Sequence, residues 1–383
     1  YTLSLHDALP ILAALSAALH ENGMKLILDI SINHTGMAHR WFNRDGLYFA
    51  KDVGAYNNPD SRERSYYFFE PDTNNYKGWA DVPSLPTLNY TSKELREAIY
   101  EGEDSVLKKW LKPPYSIDGW RFDVADVFAR NNDIQLAHEI WPEIRISIRE
   151  ENPQAYILAE DWGDCAEYLQ GQEWDSPMNY FGCGRALRQF IGLPDLFNER
   201  SEILRDVNYT MTAEDLKARI MEHLSKIPFV LAQNQFNLID SHDVPRMHNY
   251  KGIPKESCRG IVILQFMLIG APSVYYGDEA DIEGWTENNE GCRFPMPYRK
   301  TASIEIVNEG HEKGLIQESE AQMISNILEF DEKEVKDIMV NRADIVAIDS
   351  AMSVSDALKL MIDGHNSRYP VYEENIDHIV GIL

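Results

Sequence analysis

Short apolar segments alternate with longer amphipathic segments along the first three quarters of the chain. Segments such as KLILDI at 25–30 and AYILAE at 155–160 have the length and composition of buried β-strands. The amphipathic segments repeat their apolar positions at helical spacing, and Gly23 is placed to end the first of them. This alternation predicts a parallel sheet in an α/β fold. The predicted strands are 25–30, 116–123, 155–160, 236–240 and 272–276, and the predicted helices are 11–22, 131–151, 184–191, 213–225 and 257–269.

One connection is far longer than the others. It covers residues 35–90, whereas a strand-to-helix loop usually has about 2–6 residues. The segment is rich in Trp, Tyr and Phe, which favours an inserted subdomain with its own aromatic core. A second interpretation, compatible with the first, is that some of these rings also face a ligand such as a sugar.

Polar side chains recur where the predicted strands end. In a parallel barrel all the carboxyl ends of the strands open onto one face, so acids far apart in the sequence can meet in one pocket. The alternative for each acid is an ordinary helix N-cap, and for each histidine a structural role beside a helix start. The candidate residues are His34, Arg121, Asp123, Glu160, His242 and Asp243.

Composition and charge narrow the class of protein. The formal net charge of −26 argues against general binding to nucleic-acid phosphates and favours neutral or polar substrates. No apolar run approaches the ~20 residues that span a bilayer, so the sequence predicts no transmembrane helix. The four cysteines are scattered without a CxxC pair, which favours reduced thiols over a zinc site or a disulfide framework.

Several segments resemble, in order and spacing, the signature segments of the α-amylase family of glycoside hydrolases, most closely the neopullulanase and cyclomaltodextrinase branch. The resemblance implies a TIM (β/α)8 barrel with an inserted domain B at about 35–90, all within a catalytic region at 12–298. Counting 25–30 as the third strand, the chain supplies strands three to eight, an incomplete barrel whose isolated polypeptide is expected to be poorly folded or weakly active. The matching segments are DISINH (29–34), VPSLPTLN (82–89), GWRFDVADV (119–127), ILAEDW (157–162) and LIDSHDVPR (238–246).

The resemblance also implies catalytic roles. Asp123 matches the family's nucleophile, Glu160 its general acid/base, and Asp243 the third acid, which holds sugar hydroxyls. Such a carboxyl pair cleaves glycosidic bonds with retention when its members lie about 5–5.5 Å apart, through a covalent glycosyl-enzyme intermediate. The implied substrate is an α-glucan oligosaccharide or polysaccharide, and no cofactor is required.

Three further residues match substrate-binding positions of the family. Arg121 lies two residues before Asp123 on the same strand face, where it is expected to keep that carboxylate charged and oriented. His34 and His242 match donors to sugar hydroxyls. Asn33 matches a position that binds calcium in some members, but the other ligands cannot be placed, so the metal is unassigned.

The two ends of the chain differ from the middle. Residues 304–383 are strongly acidic and resemble hemolysin/CorC-type proteins with CBS domains, here as a partial α+β segment, so the sequence predicts a boundary near 298–304. In that family a CBS pair binds adenosine nucleotides, and Ser367 and Arg368 match a possible phosphate contact, although Arg368 can equally face solvent on an edge strand. Residues 1–11 resemble the translation of a sequencing adapter and are excluded from the fold prediction.

Three functions are therefore compatible with the sequence. The leading hypothesis is a retaining α-glucan hydrolase built on the barrel region. The alternatives are a nucleotide-binding regulatory module formed by the tail and a barrel remnant that binds carbohydrate without catalysis.

Overall fold

The computed structural model describes residues 5–196, 211–296, 345–364 and 369–382. The chain divides into two compact units, Tyr1–Met296 and Pro297–Leu383. Each unit has its own sheets and its own buried side chains.

The strands of the first unit lie in two parallel sheets and one short hairpin. Strand order is β1-β2-β5-β6 in the larger sheet and β7-β8 in the smaller, and a single parallel bridge between Met178 and Phe236 links the two. The hairpin pairs β3 with β4. The bounds are β1 (Ile27–Ser31), β2 (Gly119–Asp123), β3 (Arg130–Asn131), β4 (Ile134–Gln135), β5 (Tyr156–Ala159), β6 (Ser176–Pro177), β7 (Phe236–Leu238) and β8 (Ala271–Ser273).

Helices connect the strands of this unit. The first ends before Gly23, which has the positive φ of +69° that favours glycine at a helix C-terminus. Their bounds are α1 (Leu5–Glu21), α2 (Lys93–Arg96), α3 (Val106–Leu111), α4 (Ala137–Glu151), α5 (Arg185–Phe190), α6 (Ala213–Ser225), α7 (Phe229–Ala232) and α8 (Lys255–Met267).

The central strand β2 is buried on both faces. Its Trp120 and Phe122 are almost inaccessible, and the Phe122 ring meets the Trp141 ring of α4 with centroids 5.1 Å apart. A Cβ at Gly119 would lie 2.3 Å from the carbonyl oxygen of Tyr156, so only glycine allows β5 to approach this closely. The strand that carries two of the candidate residues is therefore held firmly between its neighbours.

The long segment after β1 forms an aromatic cluster rather than regular strands. Phe42 is fully buried, and its ring centroid lies 4.8 Å from that of Tyr67 and 4.7 Å from that of Tyr76. The cluster is continuous with the core beneath β2, which includes Trp120. The sequence favoured a separate aromatic core for the inserted segment. In the structure, the aromatic side chains of this segment instead extend the core of the sheet.

Three differences from the predicted elements concern the helix at 131–151, the strand β6 and the first helix. The helix predicted at 131–151 begins only at Ala137, because the hairpin β3–β4 turns through Asn132 with a φ of +51°. The strand β6 was not among the predicted strands, since its two residues include Pro177 and carry no periodicity. The first helix also begins earlier than predicted, at Leu5.

Beside β8 the molecule exposes apolar side chains. Phe266 is 54% exposed and Met267 78% exposed, although both belong to the mainly apolar second half of α8. We call this surface the open face; it consists of Val262, Ile263, Phe266, Met267 and Val274.

The described part of the second unit is a small α+β arrangement. Strands β9 (Ile348–Asp349) and β10 (Pro370–Tyr372) are parallel, β10 pairs antiparallel with β11 (Ile379–Ile382), and helix α9 is Val354–Gly364. Among the described residues of both units, none of the helices combines the length and apolar character that crossing a bilayer requires.

Candidate active site

The register between β2 and β5 brings Asp123 and Glu160 together. Phe122 lies opposite Ala159 in the parallel ladder, so the next residue of each strand is one of the two acids. The backbone N–H of Glu160 donates to the carbonyl oxygen of Phe122 at 2.9 Å, which continues the ladder up to the acid itself. Neighbouring strands lie about 4.8 Å apart, so the backbone alone places these two side chains side by side.

Arg121 binds both carboxylates and a third one. Its Nη1 lies 2.8 Å from Asp123 Oδ1 and 3.0 Å from Asp29 Oδ1, and its Nη2 lies 3.1 Å from Glu160 Oε2. Burial opposes the charge of this guanidinium, but the carboxylates outweigh burial and raise the pKa of Arg121. The guanidinium of Arg121 therefore pairs with Asp29, Asp123 and Glu160, which we call the acid cluster.

Glu160 is the most enclosed member of the cluster. Its side chain is 8% exposed, against 34% for that of Asp123. Besides Arg121, the N–H of Val124 donates to its Oε2 at 2.9 Å, and the indole Nε1 of Trp162 donates to its Oε1 at 3.2 Å. Val124 reaches it with a left-handed φ of +52°, an unusual conformation for a β-branched residue.

Asp123 has a different environment from Glu160. Burial is the largest cause and raises the pKa of Asp123 above its ordinary value. The hydrogen bond from Arg121 lowers this pKa, and the negative charge of Glu160 is a further cause of the upward shift. Such a pair can hold one proton and one negative charge, as acetal cleavage requires.

His34 follows the end of β1, at the carboxyl edge of the sheet where Asp123 and Glu160 also lie. Its ring stacks on Trp79 with centroids 5.2 Å apart, and burial lowers its pKa although the negative charge of Asp123 opposes this shift. A neutral imidazole at this position can donate to a sugar hydroxyl. Trp79 comes from the inserted segment, so this segment contributes a ring that stacks on a candidate site residue.

Asn33 gives no support to a calcium site. Its amide Nδ2 lies 3.4 Å from Nδ1 of His34, and its backbone oxygen accepts from Leu88 N. Within the described ranges, one group of three His, Cys, Asp or Glu side chains has its ligand atoms close enough together to hold a metal ion. This group contains no residue of the Asn33 loop. The metal stays unassigned.

That group is Asp240, His248 and Asp278, and arginines already neutralise it. Arg188 pairs with Asp240, and Arg246 Nη1 lies 2.5 Å from Asp278 Oδ1. Nε2 of His248 lies 2.8 Å from the carbonyl oxygen of Ile282. The cluster is therefore a buried ion-pair network, and burial raises the pKa of Asp278 to about 7.

Asp243 contacts Arg293 and His242. Its Oδ1 accepts from Arg293 Nη2 at 3.0 Å, its Oδ2 lies 3.2 Å from His242 Nε2, and Nε of Arg293 donates to the His242 carbonyl oxygen at 2.7 Å. Both residues follow β7, whose parallel link to β6 places them at the carboxyl edge of the same set of strands. The structure thus joins Arg121, Asp123 and Glu160 directly, and pairs His242 with Asp243 at the carboxyl edge of the same set of strands.

Three residues without a role predicted from the sequence contact Arg121 or these acids. Asp29 shares Arg121, Trp162 donates to Glu160, and Arg293 holds Asp243. Asp29 and Trp162 lie inside the quoted signature segments, so their positions were a usable signal. Arg293 is 50 residues from Asp243, and no local pattern connects the two.

Comparison with known proteins identifies the family. Residues 10–343 match the family model described as the catalytic domain of alpha amylase. The chain belongs to the α-amylase family. The solved structures that it resembles support the TIM-barrel-like α/β fold of this family.

Curated relatives in the α-amylase family are about 30% identical to the chain over the aligned residues. Neopullulanase 2 of Thermoactinomyces vulgaris is 31% identical over 295 residues, which are 75% of this chain and 43% of that protein. Cyclomaltodextrinase of Geobacillus thermopakistaniensis is 30% identical over 284 residues, 72% of this chain and 41% of that protein. The chain therefore spans about two fifths of the length of these relatives.

Solved structures of the α-amylase family agree with this assignment. The acarbose-soaked debranching enzyme of Nostoc punctiforme has a TM-score of 0.59 at 28% identity, over 73% of this chain and 57% of that chain. The cyclic α-maltosyl-(1→6)-maltose hydrolase of Arthrobacter globiformis, in complex with maltose, has a TM-score of 0.60 at 28% identity, over 76% of this chain and 59% of that chain.

The C-terminal segment matches a second family. Residues 335–383 match the CBS domain model, which confirms the predicted resemblance of the tail. Ser367 and Arg368 lie outside the described residues. Binding of an adenosine nucleotide by this segment stays a prediction.

Proposed function

We propose that the chain carries the catalytic machinery of a retaining α-glucan hydrolase. Asp123 would attack the anomeric carbon while Glu160 gives its proton to the leaving oxygen, which forms a glycosyl ester on Asp123. Water would then attack the ester as Glu160 takes up a proton, which releases the sugar and restores both carboxyls. The observation that carries this proposal is that the two acids directly follow Phe122 and Ala159, the last paired residues of the β2–β5 ladder.

The surrounding contacts support these roles. Arg121 favours an ionised Asp123, as a nucleophile requires, because its charge lies within 2.8 Å of the carboxylate. The low exposure of Glu160 favours its protonated form, as a general acid requires. Separations set by neighbouring strands suit the about 5–5.5 Å of a retaining pair better than the wider gap of an inverting one.

Asp243, His242 and His34 would hold the sugar. Asp243 would accept hydroxyl protons once Arg293 makes way or rearranges, and His34 and His242 would donate to hydroxyls of the same residue. The named relatives act on pullulan, cyclic maltodextrins and related α-glucans, which makes an α-glucan the proposed substrate class.

The scaffold belongs to the proposal as well. We assign the six parallel strands β1, β2, β5, β6, β7 and β8 to strands three to eight of a (β/α)8 barrel, with 35–90 as its inserted domain B. The catalytic region would cover 12–298 and the CBS-like segment 304–383. Activity of the chain by itself is expected to be lower than that of longer relatives.

A mechanism-based label tests the proposal. The full chain is incubated with a 5-fluoroglycosyl fluoride and digested, and the modified peptide is identified by mass spectrometry. We expect the label on Asp123, with none in Asp123→Asn and normal labelling in the control Asp133→Asn, whose exposed acid lies in the β3–β4 hairpin turn. Labelling of another acid, or hydrolysis of maltodextrin unaffected by Asp123→Asn, would rule the mechanism out.

A second variant separates the acid from the nucleophile. Glu160→Gln is expected to lower kcat on maltodextrin about 10²- to 10⁴-fold, because the leaving oxygen then lacks its proton donor. The loss should be much smaller on a glycosyl fluoride, since fluoride leaves without protonation. Equal losses on both substrates would assign Glu160 a structural role instead.

A further inference from the structure

We propose that Tyr180 is a positioning residue that holds Glu160 and Asp243 in one arrangement relative to each other. Its ring acts on Glu160 through Trp162. Its hydroxyl acts on Asp243 through Ser241. The inference rests on the proposed function, in which Glu160 gives a proton and Asp243 holds sugar hydroxyls. Tyr180 itself touches neither the substrate nor the reacting atoms in this proposal.

The ring of Tyr180 fixes the indole that contacts Glu160. The Tyr180 and Trp162 rings are stacked, with centroids 3.8 Å apart and an angle of 8° between their planes. Both side chains are buried, so either ring could move only by losing close-packed contacts. Nε1 of Trp162 donates to Oε1 of Glu160 at 3.2 Å. Because an indole is planar and rigid, the stack sets the direction from which this donor reaches the carboxyl.

The hydroxyl of Tyr180 reaches the loop that carries Asp243. It shares a hydrogen bond of 2.7 Å with Oγ of Ser241, and both side chains are buried. The same Oγ accepts the backbone N–H of Asp243 at 3.1 Å. Leaving either buried hydroxyl without its partner costs free energy, so the two bonds hold each other in place. Ser241 therefore connects the Tyr180 hydroxyl to the backbone from which the Asp243 side chain extends.

Tyr180 lies where the two parallel sheets meet. It follows β6, which pairs with β5 and is linked by a bridge to β7. The side chain of Asn179, the residue before it, donates to Oδ1 of Asn237 on β7 at 2.8 Å, which anchors this turn. Glu160 follows β5 in the larger sheet, and Asp243 comes after β7 in the smaller one. One side chain thus spans the junction and contacts a partner of each acid.

Ordinary core packing makes a different prediction for this position. Tyr180 belongs to an apolar cluster with Leu158, Met178 and Leu238, so a large change here is expected to lower stability. A packing role alone would reduce turnover of all substrates by one factor, whatever their leaving group. A positioning role separates the two branches, because the ring affects only the step that needs a proton from Glu160.

Kinetics of the full chain on two substrates separate the branches. Tyr180→Phe removes the hydroxyl and keeps the stack, so kcat/KM should fall about 3- to 10-fold on both a maltooligosaccharide and a glycosyl fluoride. Tyr180→Leu also removes the stack, and should lose about 10-fold more on the maltooligosaccharide alone, because fluoride leaves without protonation. The matched control is Tyr156→Phe, whose lost hydroxyl binds the Asn234 carbonyl oxygen at the other end of β5. It should match wild type on both substrates.

Hydrogen exchange followed by nitrogen-15 NMR tests the same contacts without requiring turnover. With labelled tryptophan or aspartate, the indole signal of Trp162 is assigned by its loss in Trp162→Phe, and the amide signal of Asp243 by its loss in Asp243→Asn. Tyr180→Phe should speed exchange of the Asp243 amide about 3- to 10-fold and leave the indole unchanged. Tyr180→Leu should speed both. An unchanged Asp243 amide in Tyr180→Phe would overturn the inference, even if Tyr180→Leu fails to fold, and so would an unchanged indole in folded Tyr180→Leu.

The two measurements separate this inference from the proposed function. If the wild-type chain neither turns over nor accepts the covalent label, the proposed function fails, and the exchange rates alone decide whether Tyr180 positions the two side chains. If the chain turns over, only the inference fails when Tyr180→Phe loses nothing or when Tyr180→Leu loses the same factor on both substrates.

Discussion

The two sides of the strand set differ in how they are packed. Around β2 the side chains of Trp120, Phe122 and Trp141 are almost inaccessible, and the acids above them share one buried guanidinium. Around β8 the open face exposes large apolar side chains, and Asp243 is held by Arg293, whose side chain is 48% exposed. The covalent chemistry is thus proposed for the rigid side, and the binding of sugar hydroxyls extends to the loosely packed side.

This difference shows what each task needs. A nucleophile and an acid must keep a spacing within a fraction of an ångström, which a close-packed strand pair provides. A residue that only holds hydroxyls tolerates adjustment, and an exposed arginine can rearrange when sugar arrives. Three substitutions test this contrast.

The largest effect on stability is expected from removing a buried side chain of β2. Phe122→Ala removes a fully buried ring that contacts Trp141, and should lower the free energy of unfolding by about 3–5 kcal/mol. The measurement is the urea midpoint followed by tryptophan fluorescence. Phe122→Leu is the control, expected to cost less than about 1.5 kcal/mol because it nearly fills the space. Similar midpoints for Phe122→Ala and wild type would show that this side is not close-packed.

A smaller effect on stability is expected from the ion-pair network of Asp240, His248 and Asp278. The folded pKa of Asp278 is about 7, well above the unfolded value, so the folded state binds the extra proton between about pH 4 and 7. Stability should therefore fall as pH rises across that window, because the folded state loses a proton that it binds more tightly than the unfolded state does. Comparing the pH dependence of Tm for wild type and Asp278→Asn isolates this contribution. The prediction is wrong if both curves run parallel from pH 4 to 8.

The smallest effect is expected on the open face itself. Phe266→Ser replaces a ring that is already 54% exposed, so the free energy of unfolding should change by no more than about 0.5 kcal/mol. Its urea midpoint should match that of wild type, while its tendency to self-associate in light scattering should decrease. A loss comparable to that of Phe122→Ala would mean that Phe266 is buried in solution.

Elements with clear periodicity were predictable from the sequence. The helix 213–225 begins and ends where the pattern indicated, because Thr212 and Asp215 form a capping box. The short strand Ser176–Pro177 was not predictable, since only its neighbours make it a strand. Tertiary contacts also decided that 130–135 forms a hairpin instead of the first turns of a helix.

The candidate site was predictable where it depends on strand geometry. Arg121 and Asp123 share a strand face because side chains alternate, and the structure joins them. The pairing of Asp243 with Arg293 depends on a contact between distant loops, which no local pattern reveals. The roles of Asp123, Glu160, Asp243, His34, Arg121 and His242 themselves remain predictions.

The backbone bond from Glu160 N to Phe122 O has a consequence for variation of this protein. Because the ladder fixes the separation of the two carboxyls, loops beyond the strand ends can be lengthened, shortened or randomised without moving them relative to each other. A directed-evolution library aimed at new glucan linkages should therefore vary the surrounding loops and leave the sequences of β2 and β5 untouched.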